Sequence, residues 1–176
     1  NRDYLERQYL LESEELDKIA EINKELNGHI DDSDSVGNIL WTPKTFEFSN
    51  MFSYGEDNLI RFDKAQGIMG IFAPNASGKS SMWDALSFCI YDKTSRTNVS
   101  KNILNNRKDM FYCKFSFEID GVEYFIERKA KYVRKKTSVK VDVNFWRENG
   151  GVIESLNGEQ RKDTNKNIEK FLGKFE

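Results

Sequence analysis

Histidine and cysteine are nearly missing from this chain of 176 residues, which has one of the first and two of the second. The lone His29, in a polar loop, has no companions with which to build a metal cluster or a catalytic triad, so it is given no role. Cys89 and Cys113 lack metal-ligand spacing and fall on apolar faces, which predicts reduced core residues. Long apolar runs are missing too. No stretch approaches a membrane span and no basic-then-apolar leader is present, which predicts a soluble, cytoplasmic protein (host cytoplasm if phage-encoded) with no membrane partner. No internal repeat is visible, and the opening on Asn1 instead of methionine predicts a piece of a longer polypeptide.

What is present suits a globular domain: 38% hydrophobic residues, 32% charged residues and 13 phenylalanines for a core. Charge is unevenly spread. Residues 1–34 carry eleven acids against four bases, a balance of −7, so a net −2 for the whole leaves about +5 on the remainder. That balance permits nucleic acid as a partner. Within the lead-in, Ser13 before Glu14, Glu15 and Asp17 is a helix start, Leu16, Ile19, Ile22 and Leu26 form a stripe, and Asn27-Gly28 is a stop. The division expected is an acidic helical lead-in and linker over 1–40 and a main body over 41–176.

The main body is organised around Gly67 to Tyr91, GIMGIFAPNASGKSSMWDALSFCIY. Ile68, Met69, Ile71 and Phe72 read as a strand buried on both faces of a parallel sheet, and Met82, Ala85, Leu86, Cys89 and Ile90 as the apolar face of a helix. The loop between them gathers unpaired amide groups around one point, which attracts phosphate. Gly78 lets backbone approach phosphate oxygens, Lys79 reaches β and γ phosphates, and the Ser80 hydroxyl is placed to ligate Mg2+; Asn75, Ser77 and Ser81 add polar reach. In the G-x-x-x-x-G-K-[ST] pattern Ala73 replaces the first glycine, and Ala76 adds a second methyl group where positive φ is often needed.

Around that unit, Phe46 and Phe48 alternate with polar residues in a strand running to Met51 and Phe52, and Leu59 to Phe62 pairs back. Phe111, Cys113, Phe115, Phe117 and Ile119 share a face; Asp120-Gly121 turns; Val122, Tyr124 and Ile126 return; Val139, Val141, Val143 and Phe145 form a third strand. An Asn149-Gly150-Gly151 turn leads to Val152 and Ile153, and a last helix from Asp163 or Thr164 buries Ile168, Phe171 and Leu172 before Gly173. Arg128, Lys129, Lys131, Arg134, Lys135 and Lys136 form a basic run with two open readings. It is a DNA-backbone contact, centred on Arg134, Lys135 and Lys136, or a solvated hairpin tip.

Four pieces in order, FEFSNMFSYG, APNASGKSSMWDAL, NILNN with FSFEIDGVEYFIER, and SLNGEQRKDTNKNIEKFLG, carry a resemblance over Lys44 to Phe175. The stretch resembles the N-terminal half of the ATPase head of the SbcC and Rad-fifty family, relatives of the SMC proteins, and is closest to phage-type members. The resemblance implies an α/β P-loop fold: the N-terminal lobe of an ABC-type head, a mixed sheet around the phosphate loop and helix plus an antiparallel β-meander, incomplete without its own C-terminal lobe. It implies Mg-ATP bound between two heads in a homodimer, an Mre-eleven or SbcD-type nuclease as partner, and DNA ends as the substrate of the assembly. By position, Asn75, Ala76, Ser77, Gly78, Lys79, Ser80 and Ser81 hold phosphate, with Lys79 catalytic and Ser80 on the metal, and the loop Thr94 to Arg96 approaches the nucleotide. Phe52 stands where cellular relatives often place an arginine.

An Asp-Glu strand and a signature loop are not found in these residues, SLNGEQ being a poor candidate because it precedes a short helix, and the family's glutamine loop is expected past Glu176. The chain alone is therefore expected to bind nucleotide weakly and hydrolyse it negligibly. Two other classes fit the loop: an SMC-like or RecF-like DNA clamp without a nuclease, and a small-molecule kinase, which the hairpin after the helix disfavours.

Overall fold

The structure, a computed structural model, describes residues 18, 39–65, 67, 70–97, 99–133 and 138–175. The chain divides into two units, Asn1–Asn38 and Ile39–Glu176. The helical lead-in expected within 1–40 lies outside the described residues except Lys18 and residues 39–40, and all the described residues from 39 on belong to the second unit.

The frame of this second unit is one six-stranded sheet, ordered β2-β1-β3-β4-β5-β6 and antiparallel at every pairing. The strands are β1 (Thr42–Ser49), β2 (Asn58–Arg61), β3 (Met110–Ile119), β4 (Val122–Val133), β5 (Ser138–Asn149) and β6 (Val152–Ser155). Two helices, α1 (Lys79–Tyr91) and α2 (Arg161–Leu172), cover one face. Period two explains the sheet. Phe46 pairs with Phe115, Phe115 with Ile126 and Ile126 with Phe145, so the apolar members of four strands line up across the covered face. Phe88 of α1 meets the ring of Phe111 edge-on at 5.5 Å, and Phe171 of α2 meets Phe145 at 5.5 Å. The meander is as expected, with Asp120 and Gly121 both left-handed in the β3–β4 turn. Cys89 and Cys113 are free thiols inside this core, where burial raises the Cys113 pKa.

Four details differ from the sequence reading. β1 ends at Ser49, because Asn50 and Phe52 turn left-handed, at φ 59° and 52°. Gly70 to Phe72 forms no strand; Ile71 is 41% exposed and Phe72 is 94% exposed, while Ile68 and Met69 lie outside the described residues. A parallel strand needs parallel neighbours for its ladder, and every described strand is already in an antiparallel meander. The face of α1 is rotated: Ser81, Asp84, Ala85, Phe88, Cys89 and Ile90 are buried, with Met82 and Leu86 only partly so. α2 begins at Arg161, earlier than expected, because Gln160 O takes the amides of Asp163 and Thr164, both at 3.0 Å. The SLNGEQ segment has a packing role here. A Cβ on Gly158 would lie 2.4 Å from Cβ of Asp163 and 2.9 Å from the Thr164 amide, so only glycine lets the chain pass the start of α2.

Among the described residues no helix is long and apolar enough to cross a membrane.

Candidate functional site

The N-terminus of α1 is left open. Gly78, the N-cap, sits at φ 95° and ψ 4°, and no side chain caps the helix, so the amides of the first turn have no intrahelical partner. Asn75 through Ser81, with Ser53 and Arg96, line a cavity of about 270 Å³ at this end. The seven residues expected to hold phosphate thus come together on one cavity.

The loop's shape follows from two left-handed residues. A Cβ on Gly78 would meet Ser53 Oγ at 3.2 Å and the Tyr54 ring at 3.4 Å, so strain and crowding both select glycine. Tyr54 also donates its hydroxyl to Gly78 O at 3.1 Å, pinning the loop to the turn after β1. Ala76 has φ 62°, the strained methyl expected there, whereas Ala73 lies outside the left-handed region, so its replacement of glycine carries no such cost. Lys79 folds back over the loop, its ammonium donating to Pro74 O at 2.8 Å and to Ala73 O.

The Ser80 hydroxyl has no hydrogen bond among the described residues and borders the cavity beside Lys79. It is a hard oxygen donor of the kind that would hold Mg2+.

Arg96 adds a second cation. Its Nε lies 2.7 Å from Oδ2 of the buried Asp84, its Nη1 donates to Ser81 Oγ at 3.2 Å, and its side chain is 49% exposed on the cavity. Asp84 Oδ1 also accepts Ser95 Oγ at 2.7 Å, and Thr94 Oγ1 closes the loop by donating to Thr97 O at 2.8 Å. Of the Thr94 to Arg96 segment, Arg96 lines the cavity at the phosphate loop and Thr94 is buried. Asp84 went unread, although it lies three residues after Ser81 on the helix face that is buried.

A second cavity, of about 570 Å³, shares Ser53 with the first and is lined by Phe52, Leu104, Asn102, Asn105, Asn106 and Arg107. Its two walls are stitched together: Phe52 N donates to Ile103 O at 2.6 Å, Asn105 N to Asn50 O at 2.9 Å, and Asn105 Nδ2 to Tyr54 O at 3.1 Å.

The basic run divides. Arg134, Lys135 and Lys136 lie outside the described residues. Arg128 is no surface contact: it is 0% exposed, donating Nε to Cys89 O at 2.8 Å and Nη2 to Ile90 O at 3.1 Å and to Asn165 Oδ1 at 2.9 Å. Burial pulls its pKa below the ordinary arginine value, opposed by Asp92, whose Oδ1 lies 3.7 Å from Nη1. Its parity explains this, since Tyr124, Ile126, Arg128 and Ala130 share the covered face of β4. Lys129 stays outside, paired with Glu127 at 2.9 Å.

Known proteins share this stretch of chain. The family described as AAA domain matches residues 46–176. An uncharacterized protein of Acanthamoeba polyphaga mimivirus is 37% identical over 142 residues, spanning 77% of this chain and 10% of that protein. The SbcC component of the nuclease SbcCD from Bacillus subtilis is 30% identical over 140 residues, spanning 74% of this chain and 12% of that protein. A probable exonuclease subunit 2 of Escherichia phage T5 is 32% identical over 135 residues, spanning 75% of this chain and 20% of that protein. The chain thus corresponds to a fifth or less of each of these relatives.

Proposed function

The chain belongs to the AAA-domain family, as the N-terminal region of an SbcC/Rad50-like ABC-type ATPase head, and from that premise we propose that it is the ATP-binding lobe of a DNA-repair or recombination ATPase. The observation that carries this is the convergence of an uncapped helix terminus, Lys79, Ser80 and Arg96 on one small cavity, with Ser53 also lining a larger one. Amides and two cations suit a polyphosphate, and the adjoining space suits a nucleoside.

In this reading the amides of Asn75 to Ser81 bind phosphate oxygens. Lys79 exchanges its loop carbonyls for β and γ oxygens, and Ser80 holds Mg2+. Arg96, aimed by Asp84, is a further phosphate contact. The base lies against Phe52, with the amides of Asn102 and Asn106 at its edge. Mg-ATP, when bound, supplies the phosphoryl group to be transferred, and the chain's own residues orient it and balance its charge.

Residues 41–176 are the lobe and 1–40 a separate lead-in. The exposed Ile71, Phe72 and Trp83 are the surface covered by its own C-terminal lobe, and a second head completes the site. The chain alone hydrolyses ATP negligibly. In the assembly it works in the cytoplasm, controlling an SbcD or Mre-eleven-type nuclease on DNA, with Arg134, Lys135 and Lys136 contacting phosphates. Supporting the nuclease assignment are the names of two relatives, one a subunit of a nuclease and one a probable exonuclease subunit.

The test is purification of the complete polypeptide under native conditions. The expected result is Mg-dependent ATP turnover, stimulated by duplex DNA, with a nuclease copurifying. Turnover without a nuclease would give an SMC-like or RecF-like clamp instead. No nucleotide binding at all would overturn the proposal.

A further inference from the structure

Every exposed position of α2 is a lysine. Lys162, Lys166 and Lys170 occupy those positions, while the residues between them are buried or half-buried, and exposed Lys174 continues the same spacing past the helix end. At 1.5 Å per residue, successive lysines stand about 6 Å apart along the axis.

The line is fixed in orientation by the opposite face. Ile168 and Leu172 lie in the core, Arg161 and Asn165 hold Asp92, and Asn167 Nδ2 donates to Leu156 O at 3.0 Å. Among the described residues no carboxylate pairs with any of the four ammonium groups, and Lys170 reaches only Asn167 Oδ1, at 3.5 Å. A solvated helix usually alternates signs at four-residue spacing, because like charges there repel. Lys170 and Lys174 complement the negative end of the helix dipole, whereas Lys162 opposes the positive end, which Asp163 in the same turn complements. A polyanion accounts for an exposed edge of one sign whose ammonium groups have no carboxylate partner among the described residues.

We infer that the exposed edge of α2 is a contact surface for the phosphate backbone of duplex DNA. The inference rests on the DNA reading above and adds a surface distinct from the β4–β5 run. A membrane-binding helix sets apolar side chains beside its cations, and an acidic protein partner needs an aromatic or apolar anchor. The exposed edge of α2 offers neither, and a phosphate backbone requires neither.

The experiment uses the complete polypeptide with K162Q, K166Q, K170Q and K174Q combined, and reads duplex affinity against salt. Each lost phosphate contact lowers the slope by about 0.9, so four lost contacts shrink the affinity change between about 50 and about 200 mM salt roughly 100-fold. Nucleotide affinity stays unchanged, and the matching fourfold Lys→Arg variant keeps the wild-type slope. A wild-type slope in the glutamine variant overturns the inference while the DNA reading stands. Salt-independent binding or no binding by the unmodified protein overturns both. An unchanged DNA slope with lost binding to anionic vesicles or to an acidic protein would reassign the surface and overturn the inference.

Discussion

At its C-terminus α1 gives the carbonyls of Cys89 and Ile90 to a guanidinium sealed in the core, whereas at its N-terminus the same helix turns its amides toward an open cavity with no side chain to cap them. Both ends begin with the same problem, since every helix leaves its terminal groups unpaired and its dipole exposed. The closed end answers with Arg128, braced by Asn165 and Asp92, and Arg161 in turn grips Asp92 from α2. That arrangement joins α1, β4 and α2 into one block. The open end answers with glycine and a lysine folded onto its own loop, contacts that a ligand can replace. The chain satisfies the end it needs for stability and leaves open the end proposed to meet phosphate.

The closed end should break hardest. Arg128→Met leaves Asp92 to Arg161 and Asn165 but takes the buried donor from the carbonyls of Cys89 and Ile90, so chemical denaturation should show a loss of about 2–5 kcal/mol. A loss under 1 kcal/mol would mean that the guanidinium does not hold the three elements together. At the open end, Gly78→Ala forces a Cβ into left-handed backbone against Ser53 and Tyr54. Nucleotide affinity should fall about tenfold, the equivalent of roughly 1–2 kcal/mol of backbone strain per residue, with a smaller change in melting temperature. Titration calorimetry on the complete head checks this. The smallest effect has the opposite sign: Ala76→Gly relieves the strain at φ 62° and should raise stability by about 0.5–1 kcal/mol without weakening nucleotide binding. A destabilised Ala76→Gly would show that the alanine methyl packs usefully.

How much of this was readable in the sequence depends on the range over which each feature is determined. The phosphate loop is local, seven consecutive residues between Asn75 and Ser81, and its gathering on one cavity was legible. The meander was legible because alternation fixes which face Phe115 or Phe145 occupies. Arg128 obeyed the same alternation and was misread because its charge outweighed its parity. Asp84 and Arg96, twelve residues apart, meet only after the chain leaves α1 and returns. The Phe52 cavity depends on bonds between residues about fifty positions apart, such as Asn105 to Tyr54, which no local pattern announces. Ile71 and Phe72 show the converse failure, in which apolar character was taken for burial in a sheet, although a strand also needs neighbours to pair with.

The central claim is that the open end of α1 is a nucleotide site, and calorimetric titration of Mg-ATP into the complete head, wild type against Lys79→Ala, tests it most directly. The account predicts saturable binding by the wild type and at least a 100-fold loss in the variant, roughly the 2.7 kcal/mol or more expected for charge-assisted phosphate contacts, at an unchanged melting temperature. Equal affinity in the two proteins would contradict it and leave the loop as an ordinary turn before a helix.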